Sequence, residues 1–250
     1  MADPTDHALA RRLAEEAGRI LLGIREAHPD PAARRQALTD AGDAGAQRFL
    51  AAQLAAAVPD DAVLSEEAVD DRDRLDAERV WIIDPVDGTR EFGEPPRDDW
   101  AVHVALWERA ADDVTAGAVA LPALDLVLAT DAPPRLQAAH DGPPRVVVSR
   151  SRPPAQAEQV AEALGGQLVA LGSAGAKAMA VVRGLAEVYV HAGGQYEWDS
   201  AAPVAVARAA GLHCSRIDGS PLRYNQADTY LPDLLICRPE LAAPALAAIG

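Results

Sequence analysis

Residues 81–92 read WIIDPVDGTREF. An apolar run of the kind that buries itself in a sheet ends in two aspartates, Asp84 and Asp87, set around a proline, and then passes into a glycine and a threonine. Proline has no N–H to give a sheet ladder and holds the residue before it extended, so the spacing predicts a strand from Arg79 that stops at Asp84. A turn through Pro85 and Val86 returns Asp87 to the side of Asp84 and leaves the Val86 carbonyl pointing outward. Gly88 permits the tight path, and Thr89 adds a hydroxyl. Two carboxylates and a carbonyl so close together form a hard-oxygen array, which suits Mg²⁺ better than zinc or copper. Asp-Pro and Asp-Gly are also common turn words, so taken alone the stretch reads equally as an ordinary strand end.

Two further acids stand in matching contexts. Glu66 follows the strand-like VLS at 63–65, which places its carboxylate at the carboxyl end of that strand. Asp199, in YEWDSAAP, stands just before a helix, where it reads as an N-cap and as a ligand at once.

The chain has 250 residues, 49% of them hydrophobic, enough for one large globular unit or two closely packed ones. Its formal charge of −15 argues against a nucleic-acid or acidic-membrane partner. A small phosphorylated ligand remains compatible, because metal ions, helix N-termini and a few basic side chains can hold it locally. No apolar stretch has the length needed to span a bilayer, and MADPTDHALARR lacks signal-peptide order, so the expectation is a soluble cytoplasmic protein. The two cysteines, Cys214 and Cys237, form no CxxC pair and read as buried free thiols rather than a disulfide or a zinc site.

Along the chain, DHALARRLAEEAGRILLGIREA puts Leu9, Leu13, Ala17, Ile20, Leu21 and Ile24 on one helical face. A second helix is expected from Asp43 to Ala57, with Phe49, Leu50 and Leu54 inward. After the short strand of AVLS, the acidic run through Asp76 reads mostly as a solvated loop. WAVHVALW at 100–107 alternates in the period of a sheet, and His103 within it reads as a satisfied structural residue. AGAVALPALDLVLAT is a hairpin turning near Pro122 to Asp125. Residues 131–145 hold four prolines and one glycine and mark a seam. Beyond it, strand and helix alternate as far as Gly211. The expected organisation is an N-terminal α+β unit over 1–135, with helices and a meandering antiparallel sheet, and a C-terminal α/β unit over 136–250, with the active site at their junction.

LSEE at 64–67, WIIDPVDGTREF at 81–92 and EWDSAAPVAVARAAG at 197–211 resemble, in order and spacing, the three signature segments of the inositol monophosphatase superfamily. Its members are Mg²⁺-dependent, lithium-sensitive phosphatases. TREF, DDWAVHVALW, VVVSRSR and GSPLRYN are similar to its CysQ branch, which removes the 3'-phosphate from 3'-phosphoadenosine 5'-phosphate, and possibly from its phosphosulfate analogue. The resemblance implies a layered αβαβα sandwich, of α+β and α/β character, with two sheets between helix layers. It implies two to three Mg²⁺ ions: one on Glu66, Asp84 and the Val86 carbonyl, a second on Asp84, Asp87 and Asp199, and a looser third leaning on Glu66. Asp43 aligns with the acid that partners Thr89, although it stands one position later than the usual pattern and Asp40 is nearby.

The implied mechanism is attack by a metal-activated water, with Thr89, Asp43 and Glu66 orienting it and accepting its proton. Gly88, Thr89 and Asp199 would also touch substrate. Gly172 and Ser173 would line its ribose and phosphate side. Lys177, the only lysine in the chain, is a candidate for the 5'-phosphate, as is Arg150 in SRSR. Ser173 lacks the GxSxG spacing of a hydrolase nucleophile. Rival readings are an inositol monophosphatase or fructose-1,6-bisphosphatase of the same superfamily and, from another class, a silent Mg²⁺- and nucleotide-binding sensor. Thr89 and an acid at 43 disfavour the sensor, because a pure binder needs neither. A monomer or a homodimer is equally compatible.

Overall fold

Asp3 opens the first helix by accepting the Thr5 N–H, while Asp6 reaches back to the Asp3 N–H and Pro4 fills the first position. The computed structural model describes residues 2–28, 31–136, 138 and 141–250, and of residues 31–34 the backbone alone. Helix α1 spans Pro4–Glu26 and α2 spans Pro31–Ala57. The second helix therefore begins well before the expected start at Asp43. PAARRQALTD is rich in Ala, Arg, Gln and Leu, with proline at the first helical position, and nothing in it breaks a helix. Asp43 consequently stands mid-helix.

The first sheet has the order β1 (Ala62–Ser65), β2 (Arg79–Asp87), β3 (Ala101–Glu108), β4 (Asp113–Leu121) and β5 (Leu126–Ala129). β1 and β2 are parallel, and the remaining pairs are antiparallel. The alternation around β3 sorts cleanly between two apolar layers. Trp100, Val102, Val104 and Leu106 pack with Leu13, Ala17, Leu21, Leu50 and Leu54 of α1 and α2. Ala101, Ala105 and Trp107 join the inner layer on the opposite face.

One expectation is corrected here: β2 does not stop at Asp84 but runs on to Asp87. Asp84 pairs with His103 and Asp87 with Ala101, so one extra residue is accommodated as a bulge. Pro85 sits in that bulge, where its missing N–H costs no ladder bond.

The second sheet has the order β7 (Gln167–Leu171), β6 (Arg145–Ser149), β8 (Val188–Ala192), β10 (Asp233–Cys237) and β9 (His213–Ser215). β6 is parallel to β7 and β8, and β10 is antiparallel to both its neighbours. Helices α5 (Ala174–Val182) and α6 (Glu197–Ala209) fill the space between the sheets. One continuous core there joins Ile82 and Val119 of the first sheet, Met179 and Val204 of the helices, and Val147, Tyr189 and Ile236 of the second sheet. Each such fully buried apolar side chain contributes roughly 1.5–3 kcal/mol. The helices press close: a Cβ added at Gly117 of β4 would meet the Ala205 Cβ of α6 at 2.9 Å. On the far side α4 (Ala155–Ala163) and α7 (Pro239–Ile249) cover Val146, Val148, Val190 and Leu235. The layer order is thus αβαβα, as expected. Both cysteines are free, Cys237 buried and Cys214 half-buried. No helix among the described residues is long and apolar enough to cross a membrane.

Candidate active site

Because β1 and β2 are parallel, their carboxyl ends emerge at the same edge. Ser65 lies opposite Ile83, so the next residues, Glu66 and Asp84, come out side by side. The bulge in β2 then carries Asp87 back toward Asp84. Asp199 arrives from α6, which starts at Glu197 rather than after Asp199. The aspartate is therefore inside the first turn, and its Oδ2 accepts the Tyr196 N–H at 2.7 Å. One carboxylate oxygen each from Asp84, Asp87 and Asp199 lie within 4.8 Å of one another. Glu66 hydrogen-bonds to Asp84 from the side. Asp84 and Asp87 are 1% and 5% exposed, so water does little to screen their mutual repulsion.

The electrostatics divide the acids into two groups. Burial, followed by repulsion from Glu66, Asp87 and Asp199, raises the Asp84 carboxyl well above the ordinary range. Asp199 is pushed up to about 7 by burial and then by Asp87. Glu66 is an exposed residue whose carboxyl end is crowded against these acids; lost hydration and Asp199 push it up to about 7. Asp87 goes the other way. Burial pushes it up, but His103, the Gly175 N–H and Lys177 together outweigh that and leave it below its ordinary value. Its oxygens also accept the Ala174 N–H at 3.2 Å and the Gly175 N–H at 2.5 Å, at the start of α5.

Buried, mutually repelling hard-oxygen donors of this kind fit a divalent cation, which would favour the ionised form of every one of them. A pH dependence follows. In the unfolded chain Glu66 and Asp199 ionise near 4.5 and 3.8, whereas in the folded, metal-free protein they ionise near 7. The folded state therefore holds more protons across that window, and these groups withdraw stability as the pH rises through it. The melting temperature of chelator-treated protein is expected to fall between pH 5 and pH 8. Saturating Mg²⁺ should raise it by about 5–10 °C at pH 8 and by less at pH 5. Calorimetry in both buffers checks this, and a melting temperature indifferent to Mg²⁺ at pH 8 would count against the cation cup.

Thr89 begins a single helical turn, α3 (Thr89–Phe92), preceded by Gly88 at φ 84°, where a Cβ would also come within 2.8 Å of the Ser173 Cβ. The Thr89 hydroxyl donates to the Val86 carbonyl at 3.1 Å. It also lies close enough to Asp43 to lower that carboxyl, although burial, Glu67 and Asp40 together hold Asp43 up near 6. Asp43 Oδ1 is buried and meets no hydrogen-bond donor among the described residues.

Beside the acids opens a cleft of about 460 Å³, whose wall includes Arg90, Arg150, Arg152, Gly172, Ser173, Lys177, His191 and Asp199. Two of the basic groups singled out in the sequence are already engaged there. Lys177, 4% exposed, directs its ammonium at the carbonyls of Gly172 and Ser173, the latter at 2.7 Å. Arg150 pairs with Glu91 and, at 2.6 Å, with Glu94. Ser173 caps α5 by accepting the Ala176 N–H at 2.9 Å. Arg90 and Arg152 are the exposed cations of the wall. Sequence reasoning set His103 aside, and only its cross-strand pairing with Asp84 could have drawn attention to it.

The model of the inositol monophosphatase family matches residues 5–248. The chain belongs to the inositol monophosphatase family. Among proteins it resembles, one from Mycobacterium tuberculosis, named 3'-phosphoadenosine 5'-phosphate phosphatase, is 54% identical over 246 residues, covering 94% of this chain and 90% of that one. A protein of the same name from Mycobacterium leprae is 52% identical, covering 99% and 94%. The crystal structure of CysQ from Bacteroides thetaiotaomicron superposes with a TM-score of 0.76 at 25% identity, covering 94% of this chain and 97% of that one.

Proposed function

We propose that this protein is a Mg²⁺-dependent phosphatase that hydrolyses the 3'-phosphate of 3'-phosphoadenosine 5'-phosphate, yielding AMP and phosphate. The observation that carries the reading is the meeting of Asp84, Asp87 and Asp199 from β2 and α6 beside a cleft that Asp199 lines together with arginines. Identity above 50% to mycobacterial proteins named for that activity supports the choice of substrate.

In this reading Glu66, Asp84, Asp87, Asp199 and the Val86 carbonyl would hold two to three Mg²⁺ ions. Bound there, the ions would acidify a water and neutralise the phosphoryl oxygens. The chain's own groups do the rest. The Thr89 hydroxyl orients the attacking water, and the Asp43 carboxylate, with a free oxygen and a carboxyl near 6, accepts the proton at neutral pH. Water oxygen bonds to phosphorus as the bond from phosphorus to the ribose 3'-oxygen breaks, that oxygen takes up a proton from solvent water, and no covalent enzyme intermediate forms. Backbone N–H groups at Gly88 and Thr89 face the transferred phosphoryl group. The 5'-phosphate lies along the cleft toward Arg152 and Arg90, with Lys177 and Arg150 adding positive charge from within the wall. The chain is read as two units, 1–135 and 136–250, with the site at their junction, and as a cytoplasmic monomer or homodimer.

Phosphate-release kinetics on parallel substrates test this. The kcat/KM for 3'-phosphoadenosine 5'-phosphate should exceed that for inositol 1-phosphate or fructose 1,6-bisphosphate by about a hundredfold or more. An equal or reversed preference would overturn the substrate assignment. Binding without release would favour the silent sensor.

A further inference from the structure

We propose that His103 is a positioning residue that holds Asp87 in its place in the cation cup, its own ring fixed by the carbonyl of the residue before Asp199. The inference rests on the metal-site reading above. His103 lies on β3, directly across the strand pair from Asp84, and is fully buried. Its ring reaches in two directions at once. Nε2 lies at ion-pair distance, 3.1 Å, from Asp87 Oδ2 at the end of β2, off the line of a hydrogen bond, and Nδ1 lies 3.0 Å from the carbonyl oxygen of Trp198, the residue before Asp199 in α6. One rigid imidazole therefore spans the gap between a ligand carried by the first sheet and the segment that carries a ligand from the inner helix layer.

The surroundings are shaped to admit this ring. A Cβ at Gly175 would stand 2.1 Å from His103 Nε2 and 3.1 Å from Asp87 Oδ2, so any side chain there would displace the contact. With glycine in place, the first turn of α5 brings the Gly175 N–H to the same carboxylate oxygen that faces the histidine. Asp87 is thus held from behind by β3 and α5, which orients its carboxylate toward Asp84 and Asp199. Groups that hold a metal ligand in this way typically change metal affinity 10- to 100-fold when removed.

Three substitutions separate the parts of this bracket. In His103→Gln the amide nitrogen can reach the place of Nε2 and keep the contact with Asp87. In His103→Asn it reaches only the place of Nδ1 and keeps the contact with Trp198. His103→Leu keeps volume and neither contact. The probe is Mn²⁺, titrated into chelator-treated protein and followed by electron paramagnetic resonance, with circular dichroism as the check on folding.

The expected result is that His103→Asn and His103→Leu bind Mn²⁺ about 10- to 100-fold more weakly than the unaltered protein, while His103→Gln stays within about threefold of it. Should the leucine variant fail to fold, the comparison of Gln with Asn decides alone. Equal affinities in the Gln and Asn variants, or unchanged affinity in the Asn variant, would overturn the role of His103 and leave the metal site standing. No saturable Mn²⁺ binding by the unaltered protein would overturn both.

Discussion

Asp84→Asn is expected to lower phosphatase activity at least about a thousandfold and yet make the metal-free protein harder to melt. Both effects come from the same charge. Asp84 is 1% exposed, and burial, Glu66, Asp87 and Asp199 all act to raise its carboxyl. Its Oδ1 accepts the Val86 N–H at 3.0 Å. Asparagine has the same shape and keeps an oxygen for that N–H, so the substitution removes the repulsion and leaves the packing.

The gain should be largest at pH 8, where the neighbouring acids are ionised, and small at pH 5, where Glu66 and Asp199, with carboxyls near 7, are mostly protonated. A gain of 1 kcal/mol corresponds to about 2–4 °C in a chain of this size. Melting of chelator-treated protein at the two pH values, alongside phosphate release with Mg²⁺, measures both halves. Equal melting temperatures at pH 8 would refute the account of crowded, uncompensated acids, and retained turnover would refute the site.

Thr89→Ala should reduce kcat by about 10²- to 10⁴-fold while leaving Mn²⁺ affinity nearly unchanged. The hydroxyl touches no carboxylate of the cup and lies between the Val86 carbonyl and Asp43. Its loss removes a proton path without removing a ligand. Thr89→Ser keeps the hydroxyl and should recover most of the rate. Asp43→Asn should cost a similar factor, and the double variant little more than either single one, because the two groups act on one proton. Independent, multiplying losses would separate Asp43 from Thr89 and leave another acid, such as Glu66, as the proton acceptor.

The fold was legible wherever a single period governed a segment. WAVHVALW gave both faces of β3, because each face meets its own apolar layer. The hairpin at 116–130 followed from its own turn residues, and its turn is a short 3-10 segment at Pro122–Leu124. Misreadings came where local chemistry competed with a longer pattern. Asp43 looked like a helix start because acids favour first turns, but the Ala-rich residues before it extend α2 through that point. Pro85 looked like a strand end, but a bulge absorbed it.

For the site, the acids of the cup could be found because oxygen ligands cluster in sequence around strand ends. The engagement of Lys177 and Arg150 could not. Their partners, the carbonyls of 172 and 173 and the carboxylates of 91 and 94, become neighbours only after the strands and α5 are packed. His103 was hidden for the same reason, since its two contacts lie 16 and 95 positions away from it in the chain.

The continuous core between the two sheets bears on how the chain emerges from the ribosome. By the time Thr130 has been synthesised, all five strands of the first sheet exist and α1 and α2 can cover one side of it. The other side, with Ile82, Ala105 and Val119, has nothing to rest on until α5 and α6 have followed. Until translation passes Ala209, a half-finished polypeptide carries a greasy, water-facing plane next to a knot of unneutralised acids, and it is at this stage that the molecule is most in need of shelter from its neighbours.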